Sequence, residues 1–313
     1  MPHLFALATM LVLQPQPTAV CTQPSAIEKL TFQQKSQAEW LPNLEDAKGK
    51  AKDSGRDVIA VFHGSDWCTP CMALDRIVWK KEIGGKPFTE AMSNNFIFAN
   101  FDFVRDQSKL SADQKAQLVH RDAVQKELNV PGYPTILLMT SDGFIYGKTG
   151  FVAEMDADAY AHHLRKMQEN GKKVAELRKS KSYPELVQIL EQQGVISYHE
   201  DILQNWEKNA PEQSRLPLGA LFSRRALKES KYSPDDSVRF ATKALQLLSA
   251  DTSTHPAKPI ILQDSYIAMG LAYEAKGPDF KMQALSSFQK ALEALPTSPK
   301  ANGLAEKIQK LST

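Results

Sequence analysis

Residues 57–62 (DVIAVF) form a short, largely apolar run, and Trp67–Cys68–Thr69–Pro70–Cys71 stands close behind it. A short run this rich in β-formers reads as a strand buried on both faces. The stretch 72–81 then sets Leu74, Ile77 and Val78 at helical spacing. Two cysteines therefore stand where a buried strand turns into a helix. A helix start presents unpaired amides and the positive end of the backbone dipole, which stabilise a thiolate at Cys68. Cys71, one turn on, can attack a mixed disulfide formed at Cys68. Pro70 fits inside the first turn, where its missing N–H costs little. The chain holds one further cysteine, Cys21, which excludes a disulfide-stapled scaffold. A zinc site would need a second ligand pair, and adjacent His162–His163 do not supply one. No metal is expected, and no cofactor beyond the redox-active cysteine pair.

Around this turn the chain alternates. The patterning predicts a helix over 40–54 closed by Gly55, strands over 57–62 and 96–104, and a helix over 111–128 with Ser111 and Gln114 as a capping box. Strands follow over 135–140 and 144–148 about a Ser141–Asp142–Gly143 turn, then a helix over 155–170 ended by Gly171. Alternating strands should lie parallel, with the last hairpin antiparallel, giving a mixed α/β sheet covered by helices on both faces. Beyond Gly171 strand signals vanish. Helices are expected over 174–193, 198–208, 218–230, 235–248, 261–276, 280–295 and 299–311, punctuated by Gly194 and a series of prolines. The expected organisation is a leader over 1–24, an α/β domain over 35–170 and an all-helical domain over 172–313.

Trp-Cys-x-x-Cys after an apolar strand resembles thioredoxin, and Val130–Pro131–Gly132–Tyr133–Pro134–Thr135 before the third strand is similar to the family's second landmark. The segment 62–68 (FHGSDWC) resembles exported bacterial thioredoxin-like proteins, as does 147–151 (GKTGF). The resemblance covers about 40–170. It implies a thioredoxin fold and thiol–disulfide exchange, with Cys68 and Cys71 catalytic and Trp67, Tyr133 and a cis Pro134 meeting the substrate. Pro70, Asp66 and Thr135 would support the motif. It also implies protein thiol or disulfide substrates and an upstream dithiol reductant. Two positions depart from the family: Phe62 stands where thioredoxin has a buried Asp, and Phe98 where it has a partner Lys. His63 and Asp66 are nearby candidates to take the Cys71 proton, weighed against the plainer role of shaping the loop. Thr69–Pro70 is closer to the Gly-Pro of reducing thioredoxins than to the His-containing motifs of oxidants. Reduction is the expected direction, with isomerisation or oxidation as the alternative.

In the helical part, Gly270-x-x-Tyr273, Ala284-x-x-x-Phe288, Ala291 and Pro296 resemble a tetratricopeptide repeat, echoed faintly by Leu218–Gly219-x-x-Phe222 and Ala241-x-x-Ala244. This domain is expected to carry a protein partner, and a rival reading makes the whole chain a binding scaffold. With 38 basic against 36 acidic residues the net charge is +2, which gives no reason to expect nucleic acid. The basic run Lys172, Lys173, Arg178, Lys179 and Lys181 reads as a solvated helix face, and His120–Arg121–Asp122 and His199–Glu200 read as helix-surface residues. Residues 4–13 (LFALATMLVL) are too short to span a bilayer as a helix but suit the core of a secretory signal. An extracytoplasmic, periplasmic location follows, with a retained leader as anchor or a lipidated Cys21 as variants.

Overall fold

The computed structural model describes residues 39–209 and 211–313; the expected leader and Cys21 lie outside them. Five strands make the central sheet: β1 (Trp40–Leu41), β2 (Asp57–His63), β5 (Phe96–Asp102), β6 (Thr135–Met139) and β7 (Ile145–Thr149), in the order β1-β5-β2-β6-β7. β1, β5 and β2 are parallel; β6 and β7 are antiparallel additions. This is the mixed sheet expected. The central strand β2 is buried from Val58 to Phe62, which is why its sequence runs apolar instead of alternating. Its register sets Phe62 opposite both Phe101 and Thr135, so the Tyr133–Pro134 segment enters the sheet where the Cys68 loop leaves it.

Helices cover the sheet: α1 (Leu44–Ser54), α2 (Thr69–Leu74), α3 (Phe88–Met92), α4 (Ala112–Ala116), α5 (Leu118–Glu127) and α6 (Ala157–Ser180). Several boundaries differ from expectation. Trp40 and Leu41 are strand, not helix. Pro42 disfavours a helical Leu41, and Asn43 caps α1 by accepting from the amides of Glu45 and Asp46. α2 starts ahead of the expected helix and passes into a π-helical turn at Asp75–Trp79. A small hairpin, β3 (Glu82–Ile83) and β4 (Lys86–Pro87), turns through Gly84–Gly85, both at positive φ; this dipeptide was the unread signal. The helix expected over 111–128 is broken at Gln117 into α4 and α5. Its capping box forms: the Ser111 amide donates to Gln114 Oε1 at 2.9 Å and the Gln114 amide to Ser111 Oγ at 3.2 Å.

Gly171 does not end α6, which continues to Ser180. The glycine is there for close approach: a Cβ on it would sit 2.8 Å from the Tyr146 ring. The helix stops instead at Lys181, in the left-handed conformation with φ 55°. The single helix expected over 174–193 is therefore two. α7 (Tyr183–Gln192), α8 (Glu200–Asn209), α9 (Arg215–Glu229), α10 (Pro234–Ala250), α11 (Lys258–Lys276), α12 (Lys281–Ala294) and α13 (Ala301–Ser312) complete the chain. From α9 onward each helix packs on the next. One continuous apolar core runs from Leu41 to Ala268, and a smaller one gathers Ala284, Phe288, Ala291 and Leu304. No helix among the described residues is long and apolar enough to cross a membrane.

His199 ties the helical region to the sheet. It is buried, not a surface residue as its sequence context suggested: Nε2–H donates to the Ile145 carbonyl of β7 at 2.5 Å, and the ring stacks on Phe144 at 3.9 Å. Burial holds its pKa below the ordinary histidine value, outweighing the carbonyl and Asp201, which favour the cation; nearby Arg178 acts with burial. A histidine held neutral in the fold contributes stability above its unfolded pKa of about 6.5, and that stability is lost as pH falls below this value toward the depressed folded one. The urea midpoint should fall between pH 7.5 and pH 5.5, and fall less in His199→Gln. An unchanged slope in that variant would show that other groups carry the pH dependence.

Candidate active site

Cys68 occupies the N-cap of α2 in extended conformation (φ −86°, ψ 101°). Its amide donates to the Gly64 carbonyl at 3.1 Å, and its own carbonyl accepts from the Met72 amide at 3.0 Å, so the loop closes on itself and hands over to the helix. Pro70 lies in the first turn, exposed to solvent. The Cys68 and Cys71 sulfurs are bonded to each other, with Cα atoms 5.2 Å apart, and both residues are nearly buried.

Trp67 is fixed on several sides. Its Nε1–H donates to the Phe103 carbonyl at 2.7 Å, the Tyr133 ring meets it edge-on at 5.7 Å, and the Arg105 guanidinium lies 4.1 Å from its ring centroid. Gly64 is required beneath it, because a Cβ there would fall 2.4 Å from Nε1. Tyr133 also packs on Phe103 at 4.9 Å. The Tyr133–Pro134 peptide bond is cis. Thr135 Oγ1–H donates to the Gly132 carbonyl at 2.8 Å, bracing the turn, and the Pro134 carbonyl lies so near Gly150 that a Cβ there would be 2.9 Å away. The structure thus brings Trp67, Cys68, Cys71, Tyr133, Pro134 and Thr135 to the C-terminal end of β2.

Asp66 clamps two loops together. Its carboxylate accepts from the Arg105 amide at 3.0 and 3.1 Å and from the Asp106 amide at 2.9 Å. These amides, Asp106 first, hold its carboxyl below the usual carboxylate range. This is the loop-shaping role. His63 is hydrogen-bonded to Asn100 Oδ1 at 2.7 Å. Beneath the motif the packing is aromatic, with Phe62 stacked on Phe101 at 4.8 Å. Phe62 and Phe98, the two departures from the thioredoxin pattern, are buried. The partly buried acid of this strand is instead Asp57, bonded to Tyr146 Oη at 2.9 Å and Gln168 Nε2 at 3.0 Å, with its pKa raised by burial. It lies at the far end of β2, about 20 Å from the motif at ~3.3 Å per residue, and serves the core. Phe103 and Arg105 complete the site without a mark in the sequence, since each meets Trp67 through folding alone, whereas Gly64 stands in the 62–68 segment itself.

Residues 39–141 match the family model described as Thioredoxin-like. This region is a thioredoxin-like domain. Over 146 residues the chain is 27% identical to the thiol:disulfide interchange protein DsbD of Yersinia enterocolitica serotype O:8 / biotype 1B (strain NCTC 13174 / 8081). That match covers 47% of this chain and spans only 22% of the relative's length. A solved structure titled DsbH Oxidoreductase aligns over 49% of this chain and 95% of its own, at 15% identity and a TM-score of 0.36. The thioredoxin-like domain accounts for the cysteine pair, the cis proline and the Trp67 platform; residues beyond 141 lie outside the family-model match.

Proposed function

We propose that the protein is a thiol–disulfide oxidoreductase that reduces protein disulfides outside the cytoplasm. The observation that carries this reading is the Cys68–Cys71 pair at the start of α2, beside Tyr133–Pro134. In the reduced protein the Cys68 thiolate attacks one sulfur of a substrate disulfide and expels the other as a thiolate. Cys71 gives its proton to water, attacks Cys68 Sγ and releases the second substrate thiolate. The Cys68–Cys71 disulfide closes and two electrons have passed to the substrate. Water takes the proton because Phe62 replaces the family's buried acid and Asp66 is engaged with backbone amides. The backbone at Tyr133 pairs with an extended substrate segment. An external dithiol reductant restores the cysteine pair. The tetratricopeptide-like helices hold a protein partner of this system.

Equilibration against glutathione and then dithiothreitol measures the potential of the pair. A value near thioredoxin's, about −270 mV, is expected; one near −120 mV would mark an oxidant and overturn the reducing direction. A pair that never exchanges would leave the chain a binding scaffold.

A further inference from the structure

We infer that Arg105 gives the site a preference for substrates that carry a carboxylate beside the disulfide. The inference rests on the proposed exchange at Cys68 and names the class of substrate it takes. Arg105 is exposed, yet its position is fixed. Its amide is held by Asp66, and its guanidinium carbon lies over the Trp67 ring, 4.1 Å from the centroid. Trp67 immediately precedes Cys68, so this charge rests on the side chain next in sequence to the reacting cysteine. Stacking on an aromatic face leaves the edge N–H groups of a guanidinium free for a bidentate carboxylate.

Neighbouring charges are already committed. Asp106, the next residue in sequence, accepts from the Ser108 amide and hydroxyl, and Asp66, which precedes Trp67, spends its oxygens on two backbone amides. Arg121, which lies over the Phe103 ring, donates to the Asp102 carbonyl at 2.6 Å, pairs with Asp122 at 2.9 Å and has only 11% of its side chain exposed. Among the described residues no ion pair engages Arg105. Met72 shares the Cys68 face of α2 at i,i+4 spacing and is 43% exposed. The site thus offers a fixed positive charge and an apolar side chain, which suits an acidic, partly apolar peptide. An exposed charge acts mainly on the association rate and is screened by salt.

Three cystine peptides, identical save for flanking Asp, Asn or Lys, test this against the reduced full-length protein. The readout is the Asp-to-Asn ratio of kcat/KM within each variant, so a general loss of activity cancels. An exposed charge pair corresponds to a ratio of about three in the unmodified protein. It should fall to about one in Arg105→Gln, invert in Arg105→Glu, and collapse in 0.5 M salt at a Debye length of about 4 Å. A ratio of one in the unmodified protein, or an undiminished ratio in Arg105→Gln, overturns the inference while leaving the exchange reaction standing. If no peptide exchanges at all, the exchange reaction falls and this preference falls with it.

Discussion

Cys71→Ser is expected to accumulate a covalent complex between Cys68 and its substrate, whereas Cys68→Ser should lose exchange by about a thousandfold or more. The asymmetry comes from the helix, not from exposure, since both cysteines are nearly buried. Cys68 is the N-cap residue, next to the unpaired amides of the first turn, where a thiolate is stabilised. Cys71 lies within that turn, its Cα 5.2 Å from that of Cys68. Resolution by Cys71 is intramolecular and outpaces attack by a free thiol. With serine at 71 the mixed disulfide must wait for an external reductant, so it builds up. Serine at 68 offers a hydroxyl that is not ionised near neutral pH and forms no complex. Mass spectrometry under non-reducing conditions should find the substrate's mass added to Cys71→Ser and not to Cys68→Ser. The reverse pattern would exchange the two roles; no adduct in either would remove the redox reading.

How much of this was legible follows from the reach of each interaction. β2 was read to within a residue because burial on both faces leaves an apolar run in the sequence itself. The Ser111–Gln114 box was read because both partners lie within one turn. The cysteine pair was legible for the same reason. What surrounds it was not. Arg105, Phe103 and Tyr133 reach Trp67 from the end of β5 and the start of β6, and nothing local marks them as partners. Asp66 stands close enough in sequence to be a candidate proton acceptor, yet its partners are amides some 39 residues away. His199 carried no local sign that its ring would close on β7. The Lys181 stop had no glycine to announce it, while Gly171, which looked like a stop, is a site of close packing. A glycine that ends a helix and one that admits a neighbouring ring look alike until the ring is found, and Tyr146 sits on a different element.

That distinction makes Gly171→Val the second large effect expected. In an exposed helix interior, losing a glycine would favour folding by up to about 1 kcal/mol. Here the new Cβ would lie 2.8 Å from three atoms of the Tyr146 ring. The ring has nowhere to go: Tyr146 is fully buried and its hydroxyl donates to Asp57, itself held by Gln168 of the same helix. Either α6 lifts from the sheet or the ring leaves Asp57. Overpacking costs ~1–3 kcal/mol, and a partly buried carboxylate short of a partner adds about 1 kcal/mol. Together they exceed the helical gain, for a net loss of about 3 kcal/mol and a Tm lower by about 5–10 °C. Gly147→Ala is the control. Its Cβ would come within 2.6 Å of Met167 Cε, a contact just as short but with the tip of a flexible side chain. That variant should lose less than about 1 kcal/mol. Urea unfolding of both decides whether the rigidity of the neighbour, not the length of the contact, sets the penalty; equal losses would refute that, and a stabilised Gly171→Val would return Gly171 to the role of a failed helix stop.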